Sequence, residues 1–346
     1  MKKRVCIKDI AREAGMDKST VSRALKKSPL VKPETQKRIQ DLAEAMGYQP
    51  DPGLSALAAY KARSKMRTFQ ANLALIGAGY TPEQFEELFH LAELHRFLKE
   101  EATKSGYQIE LHCPDTTTKA QRQLSRVLYH RGIRGLIILH SKIPTKEMGF
   151  AWKFFSNIML LKPEHKPFMH CVSVHQQNLM FQALENVHRY GYKQPGLIVP
   201  KPTLDTSDQE WPDAFYLAST HFGFPIPKSY FVFDGRKSMK EIGNDFRTWQ
   251  RKNRIDVAIH VGRGLFKDNI KNFGYSPPRH LGFIATDLDY DDQQTSGLYR
   301  SRQQIAKITI DIISGMIQRG EKGRQDSPYS LNVEASWREG NTLQNQ

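Results

Sequence analysis

Cysteine is nearly absent from this chain. Three in 346 residues, Cys6, Cys113 and Cys171, are too few and too far apart for a disulfide framework or a cysteine-rich zinc site, which predicts a reducing compartment. Long hydrophobic runs are missing too: stretches such as 136–139 and 158–161 fall far short of the ~20 apolar residues that span a bilayer. The start, Met1-Lys2-Lys3-Arg4-Val5-Cys6-Ile7-Lys8-Asp9, is basic but has no apolar segment behind it, so no secretory signal is read and a cytoplasmic protein without a membrane partner is expected. Neither a phosphate-cradling Gly-Lys-Ser/Thr motif nor a G-x-S-x-G nucleophile elbow occurs. Ile76-Gly77-Ala78-Gly79-Tyr80 lacks the third glycine of a dinucleotide loop. Asp287, Asp289, Asp291 and Asp292 lack the central glycine and the closing glutamate of a calcium loop, and read instead as a solvated loop. His170, Cys171 and His175 alternate along a strand with no fourth metal ligand in view. With these constellations missing, no catalytic residue, metal or cofactor is assigned, and the chain is not read as an enzyme.

What is present is a globular composition with uneven charge. Hydrophobic residues make up 39% and charged residues 25%, enough apolar material to bury, and the length suits two or three domains. The formal charge is +15. Residues 1–67 hold 16 Lys plus Arg against 7 Asp plus Glu, a net +9, and the rest holds 35 against 29, or +6. A fifth of the chain therefore carries most of the excess, which points to a basic N-terminal module that meets a polyanion, nucleic acid above all.

The same segment is patterned as three short helices. Ile7, Ile10, Ala11 and Ala14 recur at i, i+3, i+4 and i+7, and Gly15 ends the run. Asp17 is placed to cap a second helix by accepting from the free N–H groups of Ser19 or Thr20. On that helix Thr20, Val21, Ala24 and Leu25 share one arc, while Lys18, Ser19, Ser22, Arg23 and Lys26 share the opposite one. Pro33 opens a third helix, whose apolar positions are Ile39, Leu42, Ala43 and Met46. Two helices joined by a glycine turn and backed by a third describe either a helix-turn-helix reader, whose second helix enters the major groove, or a plain three-helix bundle with a charged surface.

The order Ile7-Lys8-Asp9-Ile10-Ala11-Arg12-Glu13-Ala14-Gly15, Ser19-Thr20-Val21-Ser22-Arg23-Ala24-Leu25, Val31-Lys32-Pro33-Glu34-Thr35 and Gly47-Tyr48-Gln49-Pro50 resembles the DNA-binding domain of the lactose-repressor (LacI/GalR) family over about 50 residues. The resemblance implies that Lys18, Ser19, Ser22 and Arg23 face the operator, with Arg23 suited to a bidentate contact on guanine. Cys6 and Lys32 stand where that family has Ser or Thr caps, so weaker starts are expected for the first and third helices. In the family the next segment is a hinge that orders on DNA and wedges a leucine into the minor groove; here Leu57 takes that position. Leu54-Ser55 replaces the usual Ala-Arg, and Gly53 weakens the helix.

From residue 72 onward, β-rich runs at 73–76, 107–112, 135–140, 158–161, 171–174, 196–199, 230–233, 257–261 and 281–284 alternate with helical patterns at 85–105, 119–131, 176–190, 211–222 and 302–318. Such alternation predicts parallel sheets covered on both faces. The stretches 131–138 and 191–198 are similar to the effector core of the same family, which implies two α/β subdomains of the kind found in periplasmic sugar-binding proteins. Ligands of open α/β sheets bind beyond the carboxyl ends of the strands, which makes Tyr80, His140, His175, Trp211, Arg263 and Asp287 the candidate effector contacts. Trp211 stands where the family often has an arginine, so a stacked sugar ring, an apolar ligand or a lost ligand are the readings there.

The expected organisation is an all-α helix-turn-helix domain at 1–50, a hinge at 51–68 and, at 69–346, an α/β core of two parallel-sheet subdomains that binds an effector and dimerises. The expected function is a sequence-specific transcriptional regulator, a repressor, acting as a homodimer on pseudo-palindromic double-stranded operator DNA. Its affinity is modulated by a small molecule such as a sugar. The alternative is a ligand-sensing protein whose DNA-binding domain is vestigial.

Overall fold

The computed structural model describes residues 5–25, 31–48, 71–139, 145–161, 167–201, 203, 209–226, 230–262 and 269–346. The expected hinge, with Leu57, and the candidates His140 and Arg263 lie outside them. Among the described residues, no helix is long and apolar enough to cross a membrane.

The N-terminal domain consists of α1 (Ile7–Ala14), α2 (Lys18–Leu25) and α3 (Pro33–Ala45). Gly15 adopts the left-handed conformation, φ 62°, and so turns α1 into α2 without the steric cost that a β-carbon would carry. Asp17 caps α2 as expected, its carboxylate accepting from the Ser19 N–H at 2.7 Å. The weakness expected at α1 is partly made good, because the Asp9 carboxylate accepts from both the Cys6 N–H, at 2.9 Å, and the Cys6 thiol, at 3.0 Å. Lys32 supplies no side-chain cap to α3, which starts instead on Pro33. Ile10, Ala11, Val21, Ala24, Val31, Ile39 and Ala43 form the core. It is small, and the domain has little stability to spare.

The remainder follows as β1 (Ala71–Ile76), α4 (Pro82–Glu87), α5 (Phe89–Lys104), β2 (Tyr107–His112), α6 (Thr118–His130), β3 (Gly135–Leu139), β4 (Ser156–Leu161), β5 (His170–Val174), α7 (Gln176–Arg189), β6 (Pro195–Pro200), α8 (Glu210–His221), β7 (Phe231–Phe233), α9 (Met239–Asn253), β8 (Val257–His260), β9 (Gly282–Ala285), β10 (Gly297–Tyr299), α10 (Arg302–Arg319), β11 (Ser330–Val333) and β12 (Ser336–Arg338). One six-stranded sheet has the order β11-β5-β4-β3-β1-β2, and the other β12-β10-β9-β8-β6-β7. Pairing is parallel for β2-β1-β3-β4 and for β7-β6-β8-β9-β10, while β12 closes the second sheet antiparallel to β10. Contacts divide the chain into two units, Met1–Cys171 with Ala306–Tyr329, and Val172–Ile305 with Ser330–Gln346.

Strand alternation explains why the central strands read as unbroken apolar runs. In the second unit Leu197, Val199, Val257, Ile259 and Ile284 face one core, shared with Leu179, Trp211 and Phe215 of α7 and α8. Ile198, Ala258, Phe283 and Ala285 face the other, shared with Ile242, Phe246 and Trp249 of α9. Successive residues point to opposite faces and both faces are covered, so apolar residues fill most positions, with a buried polar exception such as His260. At the start of β6 a β-carbon on Gly196 would lie 2.5 Å from Trp249, so only glycine lets α9 approach that closely.

The single helix expected at 85–105 is divided into α4 and α5, with Leu88 between them in a non-helical conformation (ψ 88°). The sequence reading also passed over α9, although Ser238 and Glu241 form a capping box and Ile242, Phe246 and Trp249 recur at i, i+4 and i+7. Strands β10, β11 and β12, three or four residues each with one or no fully buried apolar side chain apiece, carry no comparable signal.

Candidate functional site

Two regions carry chemistry. The first is the outer face of α2. Val21 and Ala24 are buried against α1 and α3, and this orients the helix so that Lys18, Ser19 and Arg23 are exposed and Ser22 half-exposed. Lys18, Ser22 and Arg23 engage no side-chain partner among the described residues. Ser19 is more committed. Hydrogen bonds from its side chain and backbone hold the Asp17 carboxyl below its usual range, with the nearby Arg23 charge adding to the effect. The cap is thus charged and sits at the positive end of the helix. Exposed Lys8, Arg12, Lys32, Lys37 and Arg38 surround the domain. Their neighbours fix some of them: Arg12 pairs with Asp9 at 3.0 Å, and Arg38 donates to the Ala14 carbonyl at 3.4 Å.

The second region lies in the second unit, beyond the carboxyl ends of β8, β9 and β10. Asp287 is buried and accepts from the Arg302 guanidinium at 2.6 Å, with both side chains under a tenth exposed. Arg300, directly after β10, donates through Nε to the Thr286 carbonyl at 2.8 Å and through Nη2 to the Thr286 hydroxyl oxygen at 3.1 Å. That hydroxyl oxygen also accepts from the Gly262 N–H at 3.0 Å. His260 Nδ1 lies 3.1 Å from the Gly262 carbonyl, and burial drives its pKa down to about 4. Burial likewise lowers the pKa of Arg300, with the Asp287 charge opposing the shift.

The sequence candidates distribute unevenly over this geometry. Trp211 and Asp287 both lie near Arg300, whose guanidinium is 5.1 Å from the Trp211 ring centre and feels the Asp287 charge. Trp211 is no open stacking platform, however: at 2% exposure it belongs to the core, and Arg300 occupies one face of its ring. His175 is exposed at the start of α7 and gives it no side-chain cap. Tyr80 belongs to the first unit. It is half-buried, edge-on to Phe85 with ring centres 6.1 Å apart, and burial raises its pKa. Arg300 was missed by sequence reasoning because β10 was unread and its end could not be located; Thr286, just past the strand read at 281–284, was passed over in favour of its neighbour Asp287. Among the described residues no group of three or more His, Cys, Asp or Glu is placed to hold a metal ion.

Residues 6–51 match the sequence model of bacterial regulatory proteins of the lacI family. The N-terminal domain belongs to that family. Beyond this lacI-family domain the likeness is weaker in sequence and extends over much of the chain. Catabolite control protein A of Priestia megaterium is 24% identical over 229 residues, 66% of this chain and 65% of that protein. The chain therefore aligns with just under two thirds of that relative. Among solved structures, the lac repressor dimer bound to operator and the anti-inducer ONPF superposes with a TM-score of 0.61 at 14% identity, covering 99% of this chain and 100% of the other. The transcriptional regulator CelR in complex with cellobiose gives 0.60 at 16% identity, covering 98% and 100%. These likenesses fix the fold: a lacI-family helix-turn-helix domain followed by two parallel-sheet α/β subdomains.

Proposed function

We propose that this protein is a sequence-specific DNA-binding transcriptional regulator, a repressor, whose operator affinity is set by a small molecule bound in the α/β core. The observation that carries this reading is the α2 face. One side of the helix is locked into the domain core, and Lys18, Ser22 and Arg23 project outward with no side-chain hydrogen bond among the described residues, as a helix presented to a major groove requires. Arg23 reads guanine, Lys18 and Ser19 lie at the helix start nearest the bases, and Ser22 contributes a hydroxyl beside them. Ser19 gives up part of its bond to Asp17 to do so.

The partner is double-stranded, pseudo-palindromic operator DNA bound by a homodimer, since a two-fold protein reads two half-sites. Leu57 is the minor-groove wedge between them. The reading is supported by relatives and structural neighbours named as regulators, one bound to operator and one in complex with a sugar. By the same reading the effector is a small molecule such as a sugar, the protein works in the cytoplasm, and it catalyses no reaction. Asp287 lies beside the effector site and Trp211 backs it from the core by packing on Arg300, while His175 and Arg263 in the second unit, and Tyr80 and His140 in the first, stay candidate contacts, each within its own unit. For the ligand to switch occupancy it must bind one conformation of the core better than the other, and its differential affinity then appears as a change in operator affinity.

The test is selection of bound sites from random duplex DNA with the full-length protein, followed by a salt titration. A pseudo-palindrome whose affinity falls steeply with salt is expected. Failure to enrich any site, with and without candidate sugars, would overturn the proposal in favour of a ligand-sensing protein with a vestigial reader. Leu57→Ala should weaken binding to the intact operator and reduce its bending; if both survive, the wedge assignment is wrong.

A further inference from the structure

The end of the second sheet holds a cation that makes no hydrogen bond to an anion among the described residues. Arg300 is half-buried where β10 ends, and its hydrogen-bonding partners are both oxygens of Thr286, neutral groups. Its third neighbour is the Trp211 ring. The charged groups acting on it are Asp287, which opposes the loss of its proton, and Arg302, which favours it. Asp287 is already bound by Arg302 at 2.6 Å. Among the described residues, the charges acting within this cluster are two guanidinium groups and one carboxylate, one positive charge in excess. Nor does His260 relieve this by carrying a charge of its own, for burial keeps it neutral at pH 7.

A guanidinium carries five N–H donors in a planar fork, and Thr286 takes two of them. The Trp211 ring fixes the plane, Thr286 fixes one edge, and the remaining edge has no acceptor among the described residues. Partial removal of a charge from water is costly unless an anion compensates, and the arrangement is the one that recognises a carboxylate or phosphate through two parallel bonds. We infer that Arg300 is the anion-binding residue of the effector site and that the effector carries a carboxylate or a phosphate. This rests on the reading of that region as the effector site and narrows it to a chemical class. Asp287 and Arg302, locked on each other, hold the neighbouring charge constant, so the anion is left to Arg300.

The experiment compares matched probes on the full-length protein by calorimetric titration and thermal shift. The neutral set is a panel of monosaccharides including D-glucose; the anionic set is the corresponding sugar acids and sugar phosphates, with inorganic phosphate and citrate added. Anionic members should bind and raise the melting temperature, the acid and phosphate arms telling which group is preferred. Arg300→Gln should weaken that binding about tenfold to a hundredfold, the loss expected for charge-assisted hydrogen bonds, and Arg300→Lys should recover part of it. Without ligand, Arg300→Gln should melt no lower than the parent, because it removes an uncompensated charge; this separates loss of a binding group from loss of the fold. Binding confined to neutral sugars and unaffected by Arg300→Gln would overturn the anionic class while leaving the effector-site reading in place. Anion binding that survives Arg300→Gln would place the anion elsewhere and overturn the assignment. Binding by neither set would overturn both.

Discussion

The lacI-family domain and the second α/β unit both display arginine, but they hold it in opposite ways. Arg23 stands exposed on α2 without a partner among the described residues, so its charge stays hydrated and available to a polyanion arriving from solution. Arg302 is buried and committed to Asp287, and Arg300 is half-buried against Thr286 and Trp211. An exposed cation costs little to keep and is screened by salt. An enclosed one is costly, is screened little, and persists only where the surroundings fix its geometry. One region is built to meet many phosphates, the other to hold a single charge in one place.

The comparison breaks most sharply at Asp287. Asp287→Ala leaves the Arg302 charge buried without its carboxylate, and the second unit should lose ~3–5 kcal/mol. Urea unfolding followed by tryptophan fluorescence reads this, because three of the four tryptophans, Trp211, Trp249 and Trp337, lie in the second unit and the fourth, Trp152, also follows the N-terminal domain. The paired change Asp287→Leu with Arg302→Met should restore most of the loss; no recovery would mean that the carboxylate serves another partner.

Acid should separate the two regions next. His260 has a folded-state pKa of about 4 against an ordinary value of 6.5, so the unfolded chain takes up the proton first. The stability tied to its neutral form is complete above pH 6.5 and is lost as pH falls toward 4. Between pH 7 and 5 the second unit should lose ~2 kcal/mol. The first histidine in the chain is His90, and Asp17, held below 3.8, keeps its charge throughout that window. The N-terminal domain should therefore be unchanged from pH 7 to 5, as methyl NMR of Ile10 and Ile39 in the full chain would report. Parallel losses in both regions would contradict the His260 account.

On the DNA side, Arg23→Ala should cost ~1–3 kcal/mol of discrimination at one base pair of each half-site. Unchanged base preference in a selection repeated with the variant would remove Arg23 from its reading role. The smallest effect belongs to the cap. Asp17→Ala should lower the melting point of the N-terminal domain slightly and leave tryptophan-detected unfolding of the core untouched, while Asp17→Asn, which preserves the accepting oxygen, should do less.

How far each region was legible follows from what its residues depend on. The face of α2 could be read from spacing alone: apolar residues at one helical arc force Lys18, Ser19, Ser22 and Arg23 outward, and no long-range contact is needed to place them. The inner strands were legible for a similar reason, since burial on both faces favours apolar runs, and the edge strands β2 and β7 were legible from their β-rich composition. Trp211 could be placed after a strand but not oriented, and only packing revealed that its ring is buried beneath Arg300 rather than open to a ligand. Arg300 itself was invisible, because β10 is three residues long and its pairing with β9 and β12 is decided by partners distant in sequence.

Sequence by itself determined the helix-turn-helix domain, its outward-facing residues, the charge excess at the N-terminus and the alternating α/β plan. These depend on local periodicity, capping and composition. Tertiary structure alone decided which charges meet: that Arg302 closes on Asp287, that Thr286 and Trp211 seat Arg300, and that His260 is buried enough to stay neutral. Such pairings join the ends of separate strands, and their energies come from desolvation and distance, which no linear spacing encodes.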